Sequence, residues 1–200
     1  MAEEMNPLEE LLQDELKDLY SAENQIIKAL PRMAKAASSP ELKRSFERHL
    51  EETRRQVDRL EEIGGELELK LTGKKCKGME GLIEEGQEIL EHEGDADVID
   101  AGIIAAAQKV EHYEIAAYGT AVAHAKTMGH STVERILQKT LDEEYAADKK
   151  LTAVAEGFIN RLATAGSDTM SDDLVEEPKS SGRKGGKRDA RSDEMRMDNR

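Results

Sequence analysis

Carboxylates recur in this chain at positions where helical periodicity places the protein interior. On a helix, residues i, i+3, i+4 and i+7 share one face. Glu23, Glu144 and the pair Glu111 and Glu114 each fall on a face otherwise made of Leu, Ile, Tyr or Val. An isolated buried carboxylate is very costly, but a cation held between several of them offsets that cost. The pattern therefore predicts a metal site inside a helical bundle.

The second helical stretch adds a nitrogen and an amide to this set. His49 and Gln56 share the apolar face of Phe46, and Glu52 lies at the edge of that face. Asp148 follows Glu144 by one helical turn. The predicted metal ligands are therefore Glu23, His49, Glu52, Gln56, Glu111, Glu114, Glu144 and Asp148.

The ligand types indicate which metals the site would take. Carboxylate oxygens with some imidazole suit iron or manganese. Two such ions a few ångströms apart need carboxylates from facing helices to bridge them, so we predict two iron or manganese ions as the cofactor. The alternative interpretation is an ordinary solvated face on each helix, since 36% of the residues are charged.

Four long helices must position these residues. Asn6-Pro7 and Ser39-Pro40 are typical helix starts, and Gly64-Gly65 is typical of a helix end. The third long helix is predicted from about Asp95–Asp97 to Met128, and the fourth from Ser131 to about Ala163. Within the first helix, Pro31 predicts a kink or interruption before Met33.

The lengths of the connections predict the topology. Short links make antiparallel hairpins of helices one and two and of helices three and four. The link between helices two and three is about 30 residues long and carries a minor helix, about Met79–His92. We therefore predict an all-α, ferritin-like four-helix bundle with a crossover over residues 1–165. Residues 166–200 are predicted to be a disordered polar and basic tail.

Charge and composition exclude several function classes. The formal net charge is −14, and residues 179–200 carry eight Lys and Arg against four Asp and Glu, so the preceding chain carries −18. Such a body repels nucleic acid and anionic membranes, and neither is predicted as a partner. The N-terminus lacks the apolar core of a secretory signal, and Cys76 is the only cysteine. These features predict a cytoplasmic protein.

The segment Ala101–Ala107 is small and apolar on nearly all sides. Small residues let another helix approach closely, so this should be the most buried segment. It also has more apolar surface than one bundle interior needs. We therefore predict a homodimer.

Four segments carry a family resemblance: YSAENQIIKALPRMAKAASSPELKRSFERHLEET, GMEGLIEEG, AAQKVEHYEIAAYGT and TLDEEYAADKKLT. Together they resemble the YciE/YciF family of ferritin-like bacterial stress proteins over residues 6–165. The resemblance implies a ferritin-like bundle, a dimer, a di-metal centre and a role in stress.

The wider ferritin-like pattern is matched only in part. Rubrerythrin-type proteins have Glu-x-x-His on the second helix and Glu with a following His on the fourth. Here Arg55 stands where the first His would fall, and Ala147 and Asp148 follow Glu144. His49 is placed to supply one of the missing nitrogens.

Two functions follow from this partial match. The first is redox chemistry on a small-molecule oxidant, peroxide or oxygen. The second is a non-catalytic dimeric stress or structural protein with weak or no metal binding.

Overall fold

Long helices account for most of residues 6–165, the part of the chain that the computed structural model describes. None of the described helices combines the length and apolar composition that a bilayer crossing requires. The predicted tail, residues 166–200, lies outside the described residues. The helices are α1 Pro7–Ala36, α2 Pro40–Glu66, α3 Lys77–Glu91, α4 Ala96–Thr127, α5 Ser131–Val154 and α6 Asn160–Ala165, with a π-helical turn, Ala155–Ile159, between the last two.

The predicted helix starts of α1 and α2 are confirmed. The Asn6 side chain accepts a hydrogen bond from the Leu8 N–H at 3.0 Å, and the Ser39 hydroxyl accepts one from the Leu42 N–H at 3.4 Å. A proline follows each cap, where its missing N–H is not needed. These caps define where each helix of the first hairpin begins.

The predicted interruption at Pro31 is wrong, because α1 continues through it to Ala36. Proline removes one backbone hydrogen bond and crowds the preceding turn. Leu30 and Ala34, on either side, are both buried in the core. Packing of that face keeps the segment helical despite the local penalty.

Contacts between helix ends confirm the crossover. His130, just before α5, places its Nε2 2.9 Å from the Glu9 carboxylate at the start of α1. At the other end, Asp100 near the start of α4 accepts hydrogen bonds from the Ser38 and Ser39 N–H groups. Helix α4 is therefore antiparallel to α1 and parallel to α2. The connection between α2 and α4 must travel back along the bundle, and α3 lies within it.

The first half of α4 is covered by α3. A Cβ on Gly102 would lie only 2.8 Å from Cγ2 of Ile89, so the two helices approach closely. Ile103 and Ile104 are buried, whereas Ala105 is exposed. The small residues thus receive a helix of the same chain. A second subunit is therefore not needed to cover this segment. The homodimer remains a prediction.

A polar layer separates two apolar cores inside the bundle. The α3-side core includes Ile26, Phe46, Ala107 and Leu151. The distal core includes Leu19, Leu60, Tyr118 and Leu141. On every main helix, the acidic and polar residues fall between the members of these two cores. The residues of this polar layer are Glu23, His49, Thr53, Gln56, Glu111, Glu114 and Glu144.

Candidate metal centre

Four carboxylates of the polar layer are almost fully buried. Glu23 and Glu144 are 0% exposed, Glu114 is 1% and Glu111 is 3%. His49, Glu111, Glu114 and Glu144 each offer a ligand atom, and these atoms all lie within 4.8 Å of one another. The predicted residues of α2, α4 and α5 therefore meet in one cluster.

One ion-pair contact lies within this cluster, and two hydrogen bonds support Glu23 and Glu144 of the polar layer. His49 Nε2 lies 3.3 Å from Glu111 Oε1. The Tyr118 hydroxyl donates to Glu23. Gln56 donates from Nε2 to Glu144. The two hydrogen bonds satisfy one oxygen of Glu23 and one of Glu144, and the third contact pairs the His49 ring with Glu111.

Seven polar side-chain atoms of the layer are buried without a hydrogen-bond partner in the described structure. A buried polar atom left unsatisfied normally costs a few kcal/mol, so a cluster of them needs an explanation. The seven are Glu23 Oε2, His49 Nδ1, Gln56 Oε1, Glu111 Oε2, both Glu114 oxygens and Glu144 Oε2.

The electrostatics of the layer favour protons or cations. Burial raises the pKa of Glu23 to about 7, although Tyr118 and His49 oppose the shift. Burial and the neighbouring glutamates raise the pKa values of Glu114 and Glu144 well above their usual range. Burial alone would lower the pKa of His49, but the negative charge of Glu111 and its neighbours outweighs it and raises that pKa to about 8.

Two predicted ligands lie at the margin of the layer. The Glu52 side chain is 30% exposed, and its Oε2 is 3.9 Å from His49 Nδ1. The neighbouring His49 imidazole lowers the pKa of Glu52. Asp148 accepts a hydrogen bond from Gln108 at 3.0 Å and lies 3.4 Å from the exposed His112 ring. A ligand role for Glu52 and Asp148 stays a prediction.

The sequence interpretation missed partners that support the layer. Tyr118 is one of them, because its hydroxyl donates a hydrogen bond to Glu23. It follows Glu114 by four residues and Glu111 by seven, so the helical stripe contained this signal. Arg59 pairs with Glu143, and its charge opposes part of the rise in the pKa of Glu23. No spacing rule links Arg59 to α1.

Comparison with known proteins places the chain in a family. Residues 7–164 match the family described as a domain of unknown function, DUF892. The chain is 44% identical over 160 residues to Protein YciF of Escherichia coli strain K12, covering 80% of this chain and 96% of the relative. The chain belongs to the YciE/YciF family. The family resemblance inferred from the four segments is confirmed.

Solved structures support the same YciF fold. The crystal structure of the Escherichia coli stress protein YciF has a TM-score of 0.75 at 44% identity, covering 78% of this chain and 99% of that one. YcfI of Rhodopseudomonas palustris is described as a candidate structural protein. Its structure has a TM-score of 0.72 at 43% identity, covering 76% of this chain and 97% of that one. A Xanthomonas campestris protein has a TM-score of 0.64 at 22% identity, covering 80% of this chain and 98% of that one. At this identity the likeness shows the fold alone.

Proposed function

We propose that the polar layer binds two iron or manganese ions and that this YciF-type protein uses them in redox chemistry on peroxide or oxygen during bacterial stress. The observation that carries the proposal is the burial of four carboxylates beside one imidazole, with seven polar atoms unpartnered. The stress setting rests on the description of the Escherichia coli relative as a stress protein.

The charges of the layer fit cations. Three buried carboxylates share the cluster with His49, its one imidazole. The buried carboxylate of Glu23 lies in the same polar layer. An uncompensated buried charge costs several kcal/mol even after relaxation. Protons offset part of that cost, and multivalent cations coordinated by the unpartnered oxygens would offset more of it.

The donor atoms fit iron or manganese. The cluster offers mainly carboxylate oxygen and a single imidazole nitrogen, a set suited to these metals. When bound, such ions supply the one-electron and oxygen chemistry that amino-acid side chains lack.

The chain's own residues would hold and shield the site. Glu111 and Glu114 stand on α4, and Glu23 and Glu144 approach them from α1 and α5. Tyr118 and Gln56 orient two of these carboxylates by hydrogen bonds. Such outer partners fix ligand positions in metal sites. The apolar cores on both sides exclude water.

Peroxide consumption by protein loaded with iron or manganese tests the proposed function. We expect wild type to consume hydrogen peroxide and Glu114→Gln to lose about 10-fold to 100-fold of that rate, as metal-site changes commonly do. Asp142→Asn is the matched control, because Asp142 is an exposed carboxylate on α5. Equal rates in wild type and Glu114→Gln would contradict the proposal.

A second candidate is a non-catalytic stress or structural protein. The observation that favours it is the shortage of nitrogen ligands, since Arg55 and Ala147 stand near the positions where related bundles have His. The description of YcfI as a candidate structural protein points the same way. If millimolar iron or manganese leaves the melting temperature unchanged, this second function is the better account, because a ligand specific for the folded state would raise it.

A further inference from the structure

A narrow cavity lies beside the polar layer, between α3 and the main bundle. His49, Glu52 and Glu111 line it beside the polar layer, and the solvent-exposed Arg32 and Arg48 line its outer part. Its volume is about 830 Å³ when the open space at its mouth is included.

The walls of the cavity are mostly apolar. Helix α3 contributes Leu82, Ile83 and Leu90, which remain only partly buried. Met79 is the one fully buried residue of α3, and the other apolar residues of this helix pack against the core while staying only partly buried. Phe46 lines the same space from α2. Covering apolar surface of this kind with an apolar ligand lowers the free energy of the system and therefore favours binding.

Three cations line the cavity without a close ion pair. Arg32, Arg48 and Lys150 form no salt bridge within residues 6–165, although the charge of Arg48 lowers the pKa of Glu52, which lines the same cavity. Other basic residues do pair, for example Arg59 with Glu143. Unpaired cations beside an apolar cleft in a strongly acidic chain complement a ligand with an anionic head and an apolar body.

We propose that this cavity binds a straight-chain aliphatic carboxylic acid. Its chain lies between α3 and the bundle, and its carboxylate lies at the arginines. The free acid is favoured over a bilayer lipid, because the cleft has room for one chain and the acidic chain repels an anionic membrane. This binding goes beyond the proposed redox function and does not require metal.

Calorimetric titration of the full chain with dodecanoate, without added metal, tests the inference. Gly86→Leu should weaken binding at least tenfold, because a Cβ there points to Ala106 at 3.6 Å, a residue that also lines the cavity. Gly81→Leu is the matched control on the same helix, since a Cβ at Gly81 meets nothing within 4 Å. We expect the control to bind within about twofold of wild type.

A second variant tests the anionic head without touching the core. Arg32→Gln/Arg48→Gln should weaken dodecanoate binding about fivefold to tenfold, the scale of two exposed charge contacts. Arg44→Gln, an exposed change on α2 outside the cavity, should not.

Three results would overturn the inference. The first is no binding of dodecanoate to wild type at millimolar concentration. The second is unchanged binding by both the Gly86 variant and the double arginine variant. The third is binding to vesicles of anionic phospholipid without binding of dodecanoate. Because no metal is added, each result is independent of the proposed metal chemistry.

Discussion

The hydroxyl of Tyr118 on α4 donates a hydrogen bond to the carboxylate of Glu23 on α1, across 95 residues of sequence. Both side chains are fully buried. The bond holds one oxygen of Glu23 and leaves its Oε2 without a partner, among the unpartnered atoms of the polar layer. Tyr118 thereby links the distal core to the candidate metal centre.

Removal of this hydroxyl should weaken both metal binding and the fold. In Tyr118→Phe, the affinity for iron or manganese should fall about 10-fold to 100-fold, because Glu23 loses the donor that orients it. The free energy of unfolding should fall by about 1–3 kcal/mol. Metal titration and urea unfolding measure the two effects. Tyr145→Phe is the control, since Tyr145 is 55% exposed. Wild-type affinity in Tyr118→Phe would show that the bond does not support the site.

The metal-free protein should lose stability as the pH rises from about 5 to 8. The raised pKa of Glu23, about 7 against 4.5 when unfolded, means that the folded state binds more protons in this window. The stabilisation by this bound proton is fully present below the pKa of Glu23 in the unfolded state. It is lost as the pH rises through the pKa of Glu23 in the folded state. Glu23 alone accounts for a loss of about 3 kcal/mol in the free energy of unfolding over this pH range. The raised pKa of His49, about 8, acts in the same direction between its unfolded value and pH 8.

Urea unfolding with a chelator at several pH values measures this loss. Bound metal should flatten the pH dependence, because it keeps the carboxylates deprotonated. A free energy of unfolding that is constant or rising over this range would contradict the electrostatic description of the layer.

Much of the fold could be predicted from local signals. The caps at Asn6 and Ser39 and the lengths of the links were enough for the helix starts and the crossover. Pro31 shows where this fails, because the burial of Leu30 and Ala34 outweighs a local penalty that the sequence shows clearly. The position of α3 against Gly102 also depends on tertiary packing and leaves no periodic pattern.

The site could be predicted only in part. Stripe positions found Glu111, Glu114 and Glu144, because a buried carboxylate interrupts an apolar face. Glu52 lies at the edge of its stripe and Asp148 lies on the stripe of Glu144, and the structure places both at the margin of the layer. How far a stripe edge is buried depends on the neighbouring helix, which one sequence does not reveal.

Close packing of α3 on α4 predicts that alanine substitutions at two glycines of α4 change the free energy of unfolding in opposite directions. Gly102→Ala should destabilise the protein by about 1–3 kcal/mol, the usual range for overpacking, because its Cβ would lie 2.8 Å from Ile89 Cγ2. Gly119→Ala on the same helix meets nothing within 4 Å, so it should stabilise by about 0.5–1 kcal/mol through helix propensity. Urea unfolding of both variants checks the signs. Equal effects would mean that α3 is not tightly packed there.

The side chain of Asp100 should contribute strongly to the stability of the fold. Its two oxygens accept the Ser38 and Ser39 N–H groups at 2.9 and 2.7 Å, and the side chain is fully buried. Asp100→Ala leaves both donors unsatisfied, so the free energy of unfolding should fall by about 2–5 kcal/mol. Asp58→Ala, an exposed change on α2, is the control. Thermal unfolding measures the difference, and a loss no larger than the control's would contradict the capping role.

Metal content of the protein purified without chelators tests the central claim most directly. Elemental analysis should find about two iron or manganese ions per chain in wild type and in Asp142→Asn, as a di-metal centre requires. Folded Glu111→Gln/Glu144→Gln should retain less than about a tenth of that. Wild type that holds no more metal than the double variant, even after incubation with iron or manganese, would contradict the account.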